Sequence, residues 1–154
     1  MDTAISNIRI WQIWKGCRKI NAVAVYEDAA TGERVNDFCH GLFRELGERC
    51  QISREMWPLS ELRLPQLRVI AAEEAAQADV FIVSLHHDES LPAEVKGLFD
   101  LWLGHERHQP GVLIGLLDPA YQGASTALRA FLKKAAECGH LECRLLSDNT
   151  VAAG

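Results

Sequence analysis

The sequence predicts an α/β fold, a three-layer sandwich with helices on both faces of a five-stranded parallel sheet. Three observations predict it. Apolar runs rich in Val and Ile recur at residues 23–26, 80–85, 112–117 and 143–146. Each stops at an acidic or polar cluster: Glu27-Asp28, His86-His87-Asp88-Glu89, Asp118 and Ser147-Asp148. Helical patterns long enough to cross back over a sheet lie between them. Strands buried on both faces read as continuous apolar runs, and parallel neighbours need a crossover, usually a helix. Right-handed crossovers with one reversal of winding give the strand order 2-1-3-4-5.

The elements follow in turn. Residues 8–14 (IRIWQIW) are β-prone and stand before a Lys15-Gly16-Cys17 turn. Residues 1–19 are therefore expected as an N-terminal extension or an added edge strand, with Trp11 and Trp14 either packed on the sheet or covering a ligand. Residues 20–26 form the first central strand. Residues 31–47 form a helix, since Val35, Phe38, Cys39, Leu42, Phe43 and Leu46 recur at three- and four-residue spacing before Gly47. Residues 50–57 alternate Ile52, Arg54 and Met56 with polar partners, as a half-exposed edge strand does, and Pro58 ends them. Residues 67–78 carry Val69, Ile70, Ala72, Ala75 and Ala76 and are helical by propensity. Asp79 leads into the strand at 80–85.

A helix over 92–105 places Val95, Leu98, Phe99, Trp102 and Leu103 on one side, with Pro92 in the first turn where its missing N–H costs nothing. Pro110-Gly111 turns the chain into 112–117. The last helix, 124–138, opens at Ser125 or Thr126 and closes at Gly139, with Leu128, Phe131, Leu132 and Ala135 inward. Residues 141–146 give the final strand, and 150–154 a frayed tail. One domain spans 1–154, without repeat or linker.

Composition bounds the function. With 154 residues, 48% hydrophobic and 24% charged, the chain is an ordinary globular one, which excludes disorder. A net charge of -5 with scattered Lys and Arg argues against a nucleic-acid surface. No apolar stretch approaches the ~20 residues that span a bilayer, and the N-terminus lacks a leader pattern, so the cytoplasm is the expected compartment. Cys17, Cys39, Cys50, Cys138 and Cys143 are odd in number and form no C-x-x-C pair, which fits reduced, apolar thiols. A monomer or homodimer is expected.

Two stretches resemble the flavodoxin-like family, including its NAD(P)H-dependent flavin mononucleotide (FMN) reductases. VAVYEDAATGERV at 23–35 is similar to a first strand running into a phosphate loop whose Thr-Gly pair, here Thr31-Gly32, opens the first helix. ADVFIVSLHHDESLPAEVKGLFDLW at 78–102 is similar to the third strand, the flavin-contacting loop and the start of the next helix. The resemblance implies FMN as a cofactor, with Thr31, Gly32, Ser84, His86 and His87 as its candidate contacts. An acidic pair after the first strand also resembles response-regulator receiver domains, where it holds a divalent ion. Here Ser84-Leu85-His86 ends the third strand and Ser147-Asp148 the fifth, in place of that family's phosphoacceptor Asp and its Lys. Only the metal half of such a site would be shared.

The predicted order gathers Glu27, Asp28, His86, His87, Asp88, Glu89, Asp118 and Asp148 at the carboxyl edge of the sheet. Carboxylates with an imidazole suit a divalent cation, for which Glu27, Asp28, Asp88 and Asp118 are the candidate ligands. The competing reading is plain: an Asp at a strand end caps the next helix, and Asp118-Pro119 is turn chemistry. His105 and His108 lie three apart at a helix end, a spacing that could bind a metal, but dipole complementarity at a helix C-terminus accounts for them better. Glu27 and Asp28 also set negative charge where a flavin phosphate would sit. The expected function is a non-redox binding or regulatory domain with an acidic site at this edge, and the alternative is a divergent FMN-dependent reductase.

Overall fold

The computed structural model describes residues 19–46, 50–86, 92–105, 111–117 and 127–147. Among these residues the chain runs β1 (Lys19–Tyr26), α1 (Ala29–Leu46), β2 (Gln51–Pro58), a 3-10 turn (Glu61–Arg63), α2 (Pro65–Gln77), β3 (Val80–Ser84), α3 (Ala93–Leu103), β4 (Val112–Leu117), α4 (Ala127–Gly139) and β5 (Glu142–Ser147). The proposed N-terminal edge strand, the tail, and His87, Asp88, Glu89, His108, Asp118 and Asp148 lie outside the described residues.

The sheet order is β2-β1-β3-β4-β5, every pair parallel. This is the flavodoxin-like arrangement that the alternation of elements predicts. β3 is buried along its whole length, as a central strand covered on both sides must be. β2 is half-buried or exposed along its whole length, as expected at an edge, but without the strict alternation its sequence suggests. The reversal of winding between β1 and β3 also decides which face each helix covers. Ile20, Ala22, Ala24, Val80, Ile82, Val112 and Ile114 form one core with Val35, Phe38, Cys39 and Leu42 of α1. Val23, Val25, Phe81, Val83 and Leu113 form the other, under α2, α3 and α4.

An aromatic group anchors the second core. Phe81 stacks on Phe99 with ring centres 5.4 Å apart, while Trp102 and Phe131 meet Phe99 edge-on at 5.1 and 4.9 Å. Such pairs add about 0.5–1.5 kcal/mol each beyond the area they bury. Helix faces differ from the expected pattern in three places. In α1 Phe43, expected on the inner face, is exposed. In α2 the alanines Ala71, Ala72, Ala75 and Ala76 turn inward, whereas Val69 and Ile70 face out. In α3 Val95, Leu98, Phe99 and Trp102 are buried, but Leu103 is exposed rather than inward. The helix expected at 31–47 begins two residues earlier, at Ala29, because Asp28 caps it.

Gly115 of β4 is fixed by packing. A Cβ there would stand 2.7 Å from Leu132 Cδ1 and 2.8 Å from Leu145 Cδ2. Gly115→Ala is expected to cost about 1–3 kcal/mol by overpacking, while Ile70→Gln, on the outer face of α2, stays within about 0.5 kcal/mol. Urea unfolding of both variants measures the contrast.

Candidate functional site

In an open α/β sheet the crevice lies where the winding reverses, outside the carboxyl ends of the strands. Here that point is between β1 and β3, whose last residues, Tyr26 and Ser84, are register partners. Glu27 and Asp28 leave β1 and Leu85-His86 leave β3, so the two loops start side by side. Of the candidate residues, Glu27, Asp28, Thr31, Gly32, Ser84 and His86 are brought together.

Asp28 stands just before α1 and accepts the Thr31 N–H on Oδ1 at 3.1 Å. In return the Thr31 hydroxyl accepts the backbone N–H groups of Glu27 and Asp28, both at 2.8 Å. It has its own acceptors in the Asp28 carbonyl at 3.0 Å and Asp28 Oδ1 at 3.3 Å. This is a reciprocal capping box, with Asp at the cap and Thr three residues on. Thr31 is fully buried, so its hydroxyl faces this network. Ser84, likewise buried, donates its hydroxyl to the Thr31 carbonyl at 2.9 Å and fastens the end of β3 to the first turn of α1. Gly32 leaves room for an aromatic ring, since a Cβ there would lie 3.2 Å from the Tyr26 ring.

The second contact between the loops joins an imidazole to a carboxylate. His86 Nε2 meets Asp28 Oδ2 at 2.7 Å, and the His86 backbone N–H donates to Glu27 Oε1 at 3.0 Å. The Asp28 side chain keeps half of its surface in solvent, at 51%, against 24% for His86. The Thr31 backbone N–H holds the Asp28 carboxyl below the usual aspartate range; burial opposes it, and the His86 side chain adds to the lowering. The result is a narrow acidic lip. One oxygen of Asp28 is spent on the helix, and the other on imidazole.

The Thr31 and Ser84 hydroxyls, which the resemblance assigns to a cofactor, are turned to internal partners, and a carboxylate occupies the anion-favouring end of the helix. Among the described residues no group of three or more His, Cys, Asp or Glu is arranged to hold a metal ion. Asp88 and Asp118, the remaining candidate ligands, lie outside the described residues. The capping hub was readable in principle, because Asp28-x-x-Thr31 is a capping-box spacing. The His86–Asp28 contact spans 58 positions and had no local signal.

The all-parallel sheet in this order, with its winding reversed between β1 and β3, defines the class: an α/β sandwich of flavodoxin-like topology. No protein-family model matches the chain, and no curated protein matches it. Among the described residues no helix is long and apolar enough to cross a membrane.

Two outcomes test this geometry. Thr31→Val keeps the volume of the side chain but removes the acceptor of two backbone donors, and should cost about 1–3 kcal/mol in urea unfolding. A depressed folded-state pKa makes the Asp28 contribution present at neutral pH and lost as pH falls below the ordinary aspartate range. Thermal melts from pH 5 to pH 2 should therefore show a shallower acid limb for Asp28→Asn than for the wild type.

Proposed function

We propose that this chain works by recognition rather than by flavin chemistry, as a binding or regulatory domain of flavodoxin-like topology. Its recognition surface is the acidic lip of Glu27, Asp28 and His86 at the carboxyl edge of β1 and β3. The observation that supports this reading is the closed N-terminus of α1. The Asp28 carboxylate takes the Thr31 N–H that an incoming phosphate would need, and the Thr31 hydroxyl is committed to Glu27 and Asp28. A flavin phosphate carries about two negative charges. One such charge meeting a like charge at about 6 Å is repelled by near 3 kcal/mol at an effective dielectric of ~20. That opposes a weak nucleotide site by about two orders of magnitude in affinity. The exposed oxygens of the lip favour a cationic or N–H-rich group instead.

The test is a fluorescence titration of the purified protein with FMN, with and without magnesium. The recognition reading expects no saturable binding up to about 100 µM, a concentration that a functional cofactor site would saturate. Asp28→Asn should then raise the affinity for inorganic phosphate, since it removes the competing charge. A protein that purifies yellow, or binds FMN at micromolar concentration without metal, would show a flavin enzyme instead.

A further inference from the structure

A second concave surface lies away from the acidic lip, at the open edge of β2. It has a volume of about 590 Å³ and lies between the first half of β2, the start of β1 and the second half of α1. That volume is within the range of small-molecule sites, roughly 300–1,000 Å³. Cys39 and Cys50 are buried at its floor, and Phe43, 42% exposed, supplies an apolar wall. Around the mouth stand Lys19, His40 and Arg54, and the described residues that line it include no Asp or Glu. In a chain with net charge -5 this is a local inversion of sign. The Arg54 head is held in place, with Nη1 donating to Asn36 Oδ1 of α1. The Cys39 thiol, pushed up to about 11 by burial, remains neutral and adds no negative charge to the floor.

We propose that this cleft binds a small organic anion, its carboxylate or phosphate head between Lys19 and Arg54 and its apolar body over Cys39, Phe43 and Cys50. A charged head needs cationic donors at the mouth, and a planar guanidinium meets carboxylate or phosphate oxygens in pairs. An apolar body gains by leaving water for a floor of sulfur and ring carbon. Both requirements are met in one cleft. The site is separate from the acidic lip, so the two proposals stand or fall independently.

Equilibrium dialysis of the full chain against radiolabelled octanoate tests it, with octyl phosphate and the neutral octanamide as competitors. One equivalent of octanoate or of octyl phosphate is expected to bind saturably, and the stronger of the two identifies the head group. Octanamide should compete at least about tenfold more weakly, and the exposed-site double variant Lys19→Ala/Arg54→Ala should lose at least about tenfold in affinity while keeping its melting temperature. Absence of saturable binding by either anion, equal competition by octanamide, or unchanged affinity in the double variant would overturn the proposal.

Discussion

The Thr31 side chain sits where the end of β1, the start of α1 and the end of β3 meet, and its hydroxyl serves two backbone donors there. A helix start leaves its first N–H groups without partners, and a buried one must find them nearby. Asp28 and Thr31 supply them to each other. The exchange fixes where α1 begins, and α1 in turn covers one face of the sheet. Ser84 joins β3 to the same turn through the Thr31 carbonyl. Placing a negative group at that helix end is favourable in itself, by about 0.3–1 kcal/mol. The chain fills with its own carboxylate the position that other helices of this kind offer to a ligand.

The sheet gives that junction its setting. Parallel strands bury both faces, so what β1 and β3 leave accessible is the loops at their carboxyl ends, just beyond the buried Val25 and Val83. The two faces are unequal among the described residues, with α1 on one and α2, α3 and α4 on the other. The aromatic group of Phe81, Phe99, Trp102 and Phe131 lies on the three-helix side and packs the central strand β3 against α3 and α4. A loop leaving β3 is thus held at its root, and His86, two residues beyond Ser84, reaches Asp28 from a fixed base.

Much of this was legible in the sequence, and what was not has a physical reason. Alternating apolar runs and helical spacings gave the strand order because parallel pairing allows few other solutions. Val35, Phe38, Cys39 and Leu42 marked the inner face of α1 correctly, since large apolar residues at helical spacing have one place to go. In α2 size misleads: the helix packs closely on α3, and alanines allow the approach while Val69 and Ile70 are turned outward. Beside Gly32, Thr31 fits a phosphate loop by pattern, and the structure adds that its hydroxyl meets the acid three residues before it. The pairing of His86 with Asp28 depends on the β1–β3 register, and the cleft at β2 on how α1 lies against the edge strand. Neither is a local property of the chain.

The central claim is that the Asp28 carboxylate, and not a ligand, closes the N-terminus of α1. An NMR pH titration that follows the Asp28 carboxyl carbon together with the Thr31 amide proton tests it most directly. The two signals should move with one shared midpoint below the ordinary aspartate range, as a carboxylate bonded to that amide requires. A Thr31 amide that ignores the ionisation of Asp28, or an Asp28 midpoint at or above the ordinary range, would contradict the account.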